Sequence, residues 1–482
     1  MSSRASLPDA LQVKPLKTID TMNIETSILD PVTINKNRCR FVLERKGILD
    51  VGSCVQLGVV ATTEPNGKAF FPIHTGINSL IRSATLRIGT RAIATTDEFA
   101  QYATLWRSMK TVEERNRKDF YTKGTLDGIE PENDEGKGLF QPKMVDWPVT
   151  TDNPSQGEIL TAIKPTNNES TTPVFTIKLS ELFPHLMKDL QLPLYLIHEP
   201  VSIELQFNTQ ADSTNEVGVI CALTEGTTSM GITVAQTETK FLADYLTYSD
   251  SRMEETARLT MTDSGLVVPY DDVILTSYSI PAVTDPGDNN TVSQSINREL
   301  GFCGKKVKHL LWADTPVHKS GEANALLGEY CSVAYKRPDT YNIRVNDLNI
   351  YNRLVEREPY KQSQLALVTG VDINVGMPEY SWNGMVNADY NFVNSLFSAD
   401  NLVEAHNVNK LQASSHYYGV PLITDPILNE GEMIGQKPIL VERTLYRSND
   451  ATVSSVAALT NLTWGCYERT MVLRNGSVSV SA

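Results

Sequence analysis

The segment Val201-Ser-Ile-Glu-Leu-Gln-Phe207 limits what this chain can fold into more than any other. Val201, Ile203, Leu205 and Phe207 alternate with Ser202, Glu204 and Gln206. Successive side chains of a strand point to opposite faces, so this period of two marks a strand with one buried face. The residues before it supply a context. Val174, Phe175 and Ile177 form a short apolar run. Ser180 then opens a segment in which Leu182, Phe183, Leu186, Met187 and Leu190 lie close to helical spacing. Pro184 keeps that segment short, because its ring blocks a continuing helix. Leu192-Pro193-Leu194 makes a turn. The whole unit, 172–207, reads as strand, one or two helical turns, turn, long strand.

Similar alternation recurs on both sides. Phe41 with Leu43, Val55 with Leu57 and Val59, and Leu86 with Ile88 and Ile93 predict strands in the first half. Glu64-Pro65-Asn66-Gly67 is a turn. Further strands are expected over 241–248, 273–280, 307–312, 330–335, 341–350, 439–445 and 464–473. Thr95-Thr96-Asp97-Glu98 has the pattern of a capping box, followed by Phe99, Tyr102, Trp106 and Met109 at helical spacing. A second short helix is expected around Phe392, Leu396 and Leu402. Residues 120–172, 208–237 and 284–295 are rich in Gly, Pro, Asp, Asn, Ser and Thr and predict long surface loops.

The two halves echo one another. Leu86-Arg-Ile-Gly-Thr-Arg-Ala-Ile93 and Ile343-Arg-Val-Asn-Asp-Leu-Asn-Ile350 share the order apolar, Arg, apolar, Gly or Asn, three residues, Ile. With 482 residues the chain exceeds one ordinary core. Two β-sandwiches in tandem is the expected architecture.

Composition narrows the function. Against 57 acidic residues stand 43 Lys and Arg, a net charge of −14. That excess opposes general binding to nucleic acid. The N-terminal residues have no apolar signal core, and no run approaches the ~20 apolar residues of a membrane-spanning helix. The six cysteines (Cys39, Cys54, Cys221, Cys303, Cys331, Cys466) show no metal-ligand spacing and read as free thiols.

No catalytic signature is present: no Gly-x-Ser-x-Gly, HExxH, P-loop or GxGxxG. The seven histidines (His74, His185, His198, His309, His318, His406, His416) are scattered, with no pair at i, i+4. His198 reads as a packed, hydrogen-bonded histidine. The acidic loop 127–135 lacks EF-hand spacing and reads as solvated. The basic segment 304–309 reads as an exposed strand face. No catalytic, cofactor-binding or metal-binding residue, and no cofactor, is expected.

Leu179-Ser-Glu-Leu-Phe-Pro, Leu192-Pro-Leu and Val201-Ser-Ile-Glu-Leu-Gln-Phe together resemble the end of the first roll in double jelly-roll major capsid proteins. The likeness is nearest to those of polinton-like viruses and virophages. Phe71-Pro-Ile-His-Thr-Gly-Ile-Asn-Ser-Leu-Ile81 is similar to the entry into the middle strands of that roll. Trp464 to Val480 resembles the last strands of the second. The resemblance implies an all-β chain of two tandem eight-stranded jelly rolls, with short helices and long surface loops. On that reading 1–30 is an N-terminal arm, 31–210 the first roll, 211–240 a connection and 241–482 the second roll.

The same resemblance implies a pseudo-hexagonal homotrimer tiling an icosahedral shell around double-stranded DNA. It would be made in the host cytoplasm or nucleus and located in the virion. Its partners would be itself and the penton and minor capsid proteins, with no sequence-specific nucleic-acid binding. A carbohydrate-binding or carbohydrate-cleaving β-sandwich is the alternative, since carboxylates and 18 tyrosines are available.

Overall fold

Among the described residues sixteen strands, eight in each half, carry the repeated pairing, most of them built on alternating apolar residues. The computed structural model of the chain describes residues 22–61, 68–70, 76–108, 174–187, 191–208, 221–223, 232–248, 250–284, 291–316, 339–356, 358–369, 418–425, 430–448 and 458–481. In the first half the strands are β1 (Asn23–Leu29), β2 (Arg38–Val42), β3 (Cys54–Ala61), β4 (Ile81–Ile88), β5 (Arg91–Asp97), β6 (Val174–Lys178), β7 (Val201–Phe207) and β8 (Ile232–Thr247). In the second they are β9 (Leu266–Ile280), β10 (Thr291–Leu300), β11 (Lys306–Pro316), β12 (Asp339–Val345), β13 (Leu348–Asn349), β14 (Tyr418–Pro421), β15 (Ile439–Ser448) and β16 (Leu459–Arg474). Further strands, among them Glu430–Met433 and Ser477–Ser481, extend the sheets. Four helices are described: α1 (Phe99–Ser108), α2 (Leu179–Leu182), α3 (Asp250–Thr260) and α4 (Glu358–Thr369).

The pairing repeats. In the first half β1-β8-β3-β6 form one antiparallel sheet and β2-β7-β4-β5 the other. In the second half β9-β16-β11-β14 and β10-β15-β12-β13 take the same places in the same chain order. Each strand of the first half therefore has its counterpart eight strands later. One helix of each half corresponds, since α1 follows β5 and α4 follows β13.

The sequence echo marks one such pair of counterparts. Residues 86–93 fold as the β4–β5 hairpin and residues 343–350 contain the β12–β13 hairpin. Gly89 makes the first turn at φ 59°, and Asn346 and Asp347 make the second at φ 49° and 68°. Hairpin turns of two residues need this left-handed backbone, which Gly, Asn and Asp adopt most readily. The arginines match as well. Arg87 lies 3.3 Å from Glu204 on the neighbouring β7. Arg344 lies 3.1 Å from Glu442 on the neighbouring β15.

Facing sheets meet through aromatic residues. Phe41 of β2 and Phe241 of β8 have ring centroids 5.8 Å apart across the first sandwich. Trp312 of β11 and Tyr341 of β12 meet edge to face at 5.0 Å across the second. The first core also takes in Leu266, Val268 and Tyr270 of β9 and Met471 and Leu473 of β16. The two halves thus share apolar burial.

Three expectations need correction. The strand β8 runs along β1 and β3, so residues 232–247 complete a sheet of the first half. The sequence reading placed 211–240 in a connection and began the second roll at 241. Thr, Gln and Glu around a register shift between Ala235 and Lys240 hide the first part of this strand. The expected N-terminal arm, 1–30, contains β1, which pairs with β8 from Asn23 to Leu29. The expected capping box does not form either. Thr95 and Thr96 stay in β5, the Thr96 hydroxyl donates to the Leu182 carbonyl, and α1 starts at Phe99.

The opening segment folds much as read. β6 leads into the single turn α2, where the Glu181 carboxylate accepts from the Lys178 backbone N–H. After a short 3-10 turn at Leu194–Leu196 comes β7, with Val201, Ile203, Leu205 and Phe207 all buried. The acidic loop 127–135, the strand expected at 330–335 and the helix expected around Phe392, Leu396 and Leu402 lie outside the described residues.

Candidate functional site

The seam between the two halves is where chemically distinctive side chains gather. Helix α1 lays Tyr102 and Leu105 against Leu311, Ala313, Leu462 and Trp464 of the second half. The Tyr102 and Trp464 rings have centroids 5.6 Å apart. The indole Nε1 of Trp464 donates to the Asp97 carbonyl at 3.1 Å, across the seam. A second anchor lies at Ile93 of β5. Its carbonyl accepts from the Tyr270 hydroxyl at 2.8 Å and from Arg469 Nη1 at 2.9 Å. Arg469 in turn pairs with the Asp272 carboxylate at 2.6 Å. Burial nevertheless raises the Asp272 pKa, and the adjacent guanidinium only partly offsets this.

Beside Tyr102 the seam brings together His185, His309 and Cys466. Their ligand atoms all lie within 4.8 Å of one another. His309 stands opposite Cys466 in the β11–β16 pairing, just past a bulge between Val307 and His309. A bulge of this kind turns a side chain to a new direction. His185 comes from the other half, after α2, and its Nδ1 is 3.8 Å from Cys466 Sγ. Its Nε2 is hydrogen-bonded to the Tyr102 hydroxyl. Trp106 meets the same ring edge-on at 5.8 Å between centroids. The Nε2 atom of His309 is buried with no hydrogen-bond partner. Desolvation dominates both titrations: it lowers the His309 pKa to about 3 and pushes the Cys466 thiol well above its ordinary value.

Sequence spacing did not flag this cluster, because 281 residues separate His185 from Cys466. The other residues considered from sequence fall elsewhere. His198 is exposed, and a side chain on Gly476 would run into its ring. The basic segment is neutralised by carboxylates. Lys308 pairs with Asp271 at 2.7 Å, Lys306 approaches Glu468 at 3.7 Å, and Lys305 lies over the Tyr467 ring at 4.5 Å. Among the described residues no helix is long and apolar enough to cross a membrane.

No protein-family model matches the sequence, and no curated protein does either. Solved structures do. A chain of the PBCV-1 virus capsid aligns over 97% of this chain and 98% of its own, with TM-score 0.56 and 11% identity. A chain of the Sputnik virophage aligns over 99% and 92%, with TM-score 0.53 and 12% identity. The Faustovirus major capsid protein aligns over 95% and 92%, with TM-score 0.51 and 9% identity. The chain has the double jelly-roll fold. Its eight-strand repeat and shared seam are the two rolls and their junction.

Proposed function

We propose that this chain is a major capsid subunit of a double-stranded DNA virus. It associates as a pseudo-hexagonal homotrimer, and trimers tile an icosahedral shell. The observation that carries this reading is coverage. Nearly the full length of this chain and of the PBCV-1 and Sputnik chains superimposes, two rolls upon two rolls. We take the first roll as residues 23–247 and the second as 266–481, joined through α3.

Surface chemistry fits self-association. The edge strand β1 and the residue after its turn expose Ile24, Ile28 and Val32 to solvent at 55%, 62% and 68%. An edge strand with bare apolar side chains is a ready template for another chain. A neighbouring copy of the subunit would cover it. Electron microscopy of the purified protein is the direct test: it should show three-lobed particles of hexagonal outline. Single compact particles of one subunit each would defeat the reading.

A further inference from the structure

We propose that His185, His309 and Cys466 form a zinc site that latches the two jelly rolls together. The donor set is two imidazole nitrogens and one thiolate, which suits zinc. Zinc binds nitrogen at about 2.0–2.1 Å and thiolate sulfur at about 2.3 Å, so the tetrahedral ligand atoms of this set stand roughly 3.3–3.6 Å apart. The 3.8 Å between His185 Nδ1 and Cys466 Sγ is already close to that. One ligand atom from each of the three lies within 4.8 Å of the others, so about 1 Å of closure would let all three hold one ion, with a water in the fourth position.

Two features point to an ion rather than to packing alone. The first is His309 Nε2, a buried lone pair or N–H without a hydrogen-bond partner. Leaving such a group unsatisfied is unfavourable, and a metal would use the lone pair. The second is the Tyr102 hydroxyl on His185 Nε2. This contact orients the ring with Nδ1 toward Cys466, and with Nε2–H donating to the hydroxyl oxygen the Nδ1 lone pair would be open to a metal.

On binding, Cys466 releases its thiol proton to solvent and Sγ donates an electron pair to the metal. The two imidazoles bind neutral, each through a nitrogen lone pair. No redox step is involved. His185 belongs to the first roll and His309 and Cys466 to the second, so the metal would tie the rolls without a covalent crosslink. This inference concerns the single chain and stands apart from shell assembly.

The test uses the full chain, reduced and freed of metal, titrated with cobalt(II) as a spectroscopic probe. We expect one cobalt per chain, with a thiolate-to-cobalt charge-transfer band and the visible bands of a tetrahedral site. Zinc should displace it. Zinc should also raise the melting temperature of the wild type. Cys466→Ala and His185→Gln should each abolish the charge-transfer band, whereas Cys303→Ser, at an exposed thiol, should retain it. Because His185 is only partly buried, its variant carries the test even if Cys466→Ala does not fold. A wild type without the band, or a band that survives in folded His185→Gln or Cys466→Ala, overturns the site.

Discussion

Asp314 and Arg443 form a two-pronged ion pair in the middle of the second roll. Nη2 of Arg443 lies 2.6 Å and Nη1 3.0 Å from the two carboxylate oxygens, and both side chains are 0% exposed. Asp314 stands on β11 and Arg443 on β15, so the pair bridges the two facing sheets. Asn461 donates to the same carboxylate at 2.8 Å, and Tyr278 lies 3.2 Å from Arg443 Nη1.

A buried pair of this kind is a weak source of net stability but a costly one to break. Asp314→Ala leaves a guanidinium buried without its carboxylate. The expected loss is about 3–5 kcal/mol, read from the midpoint of urea unfolding. Replacing both partners, as in Asp314→Leu with Arg443→Met, should recover most of that loss. A single variant within ~1 kcal/mol of wild type would mean the pair is not buried as described.

Ile203 tests the strand that opens the sequence argument. It is fully buried in β7, paired with Phe41 on one side and Leu86 on the other. An unpaired carboxylate there should cost about 3 kcal/mol or more. Ile203→Asp is expected to unfold the first roll, seen as lost near-ultraviolet circular dichroism and rapid proteolysis. Normal, protease-resistant protein would show that this face does not point inward.

The exposed residues of β1 make the opposite prediction. Ile24 and Ile28 are largely exposed, so Ile24→Glu with Ile28→Glu should change the unfolding free energy of the subunit by no more than about 0.5 kcal/mol. Association should weaken instead, measured as a higher dissociation constant of the oligomer. Unchanged association would remove β1 from the subunit contact.

Legibility followed the range of the interactions. The period-two pattern of β7 and the short helical turn at Leu179–Leu182 depend on neighbours in sequence, and both were visible. So was the paired motif 86–93 and 343–350, because a hairpin turn writes its needs into two residues. The first part of β8 was not, since Gln236, Thr237 and Glu238 sit at a register shift and read as loop. The capping box failed because Thr96 found a tertiary partner in Leu182. The histidine–cysteine cluster was invisible in principle: only the β11 bulge and the approach of His185 to Cys466 across the seam bring its members together.

Sedimentation equilibrium of the purified chain at micromolar concentration tests the capsid-subunit account most directly. The account predicts a single species of three times the chain mass, folded and persistent on dilution. A stable, folded monomer under the same conditions would contradict it.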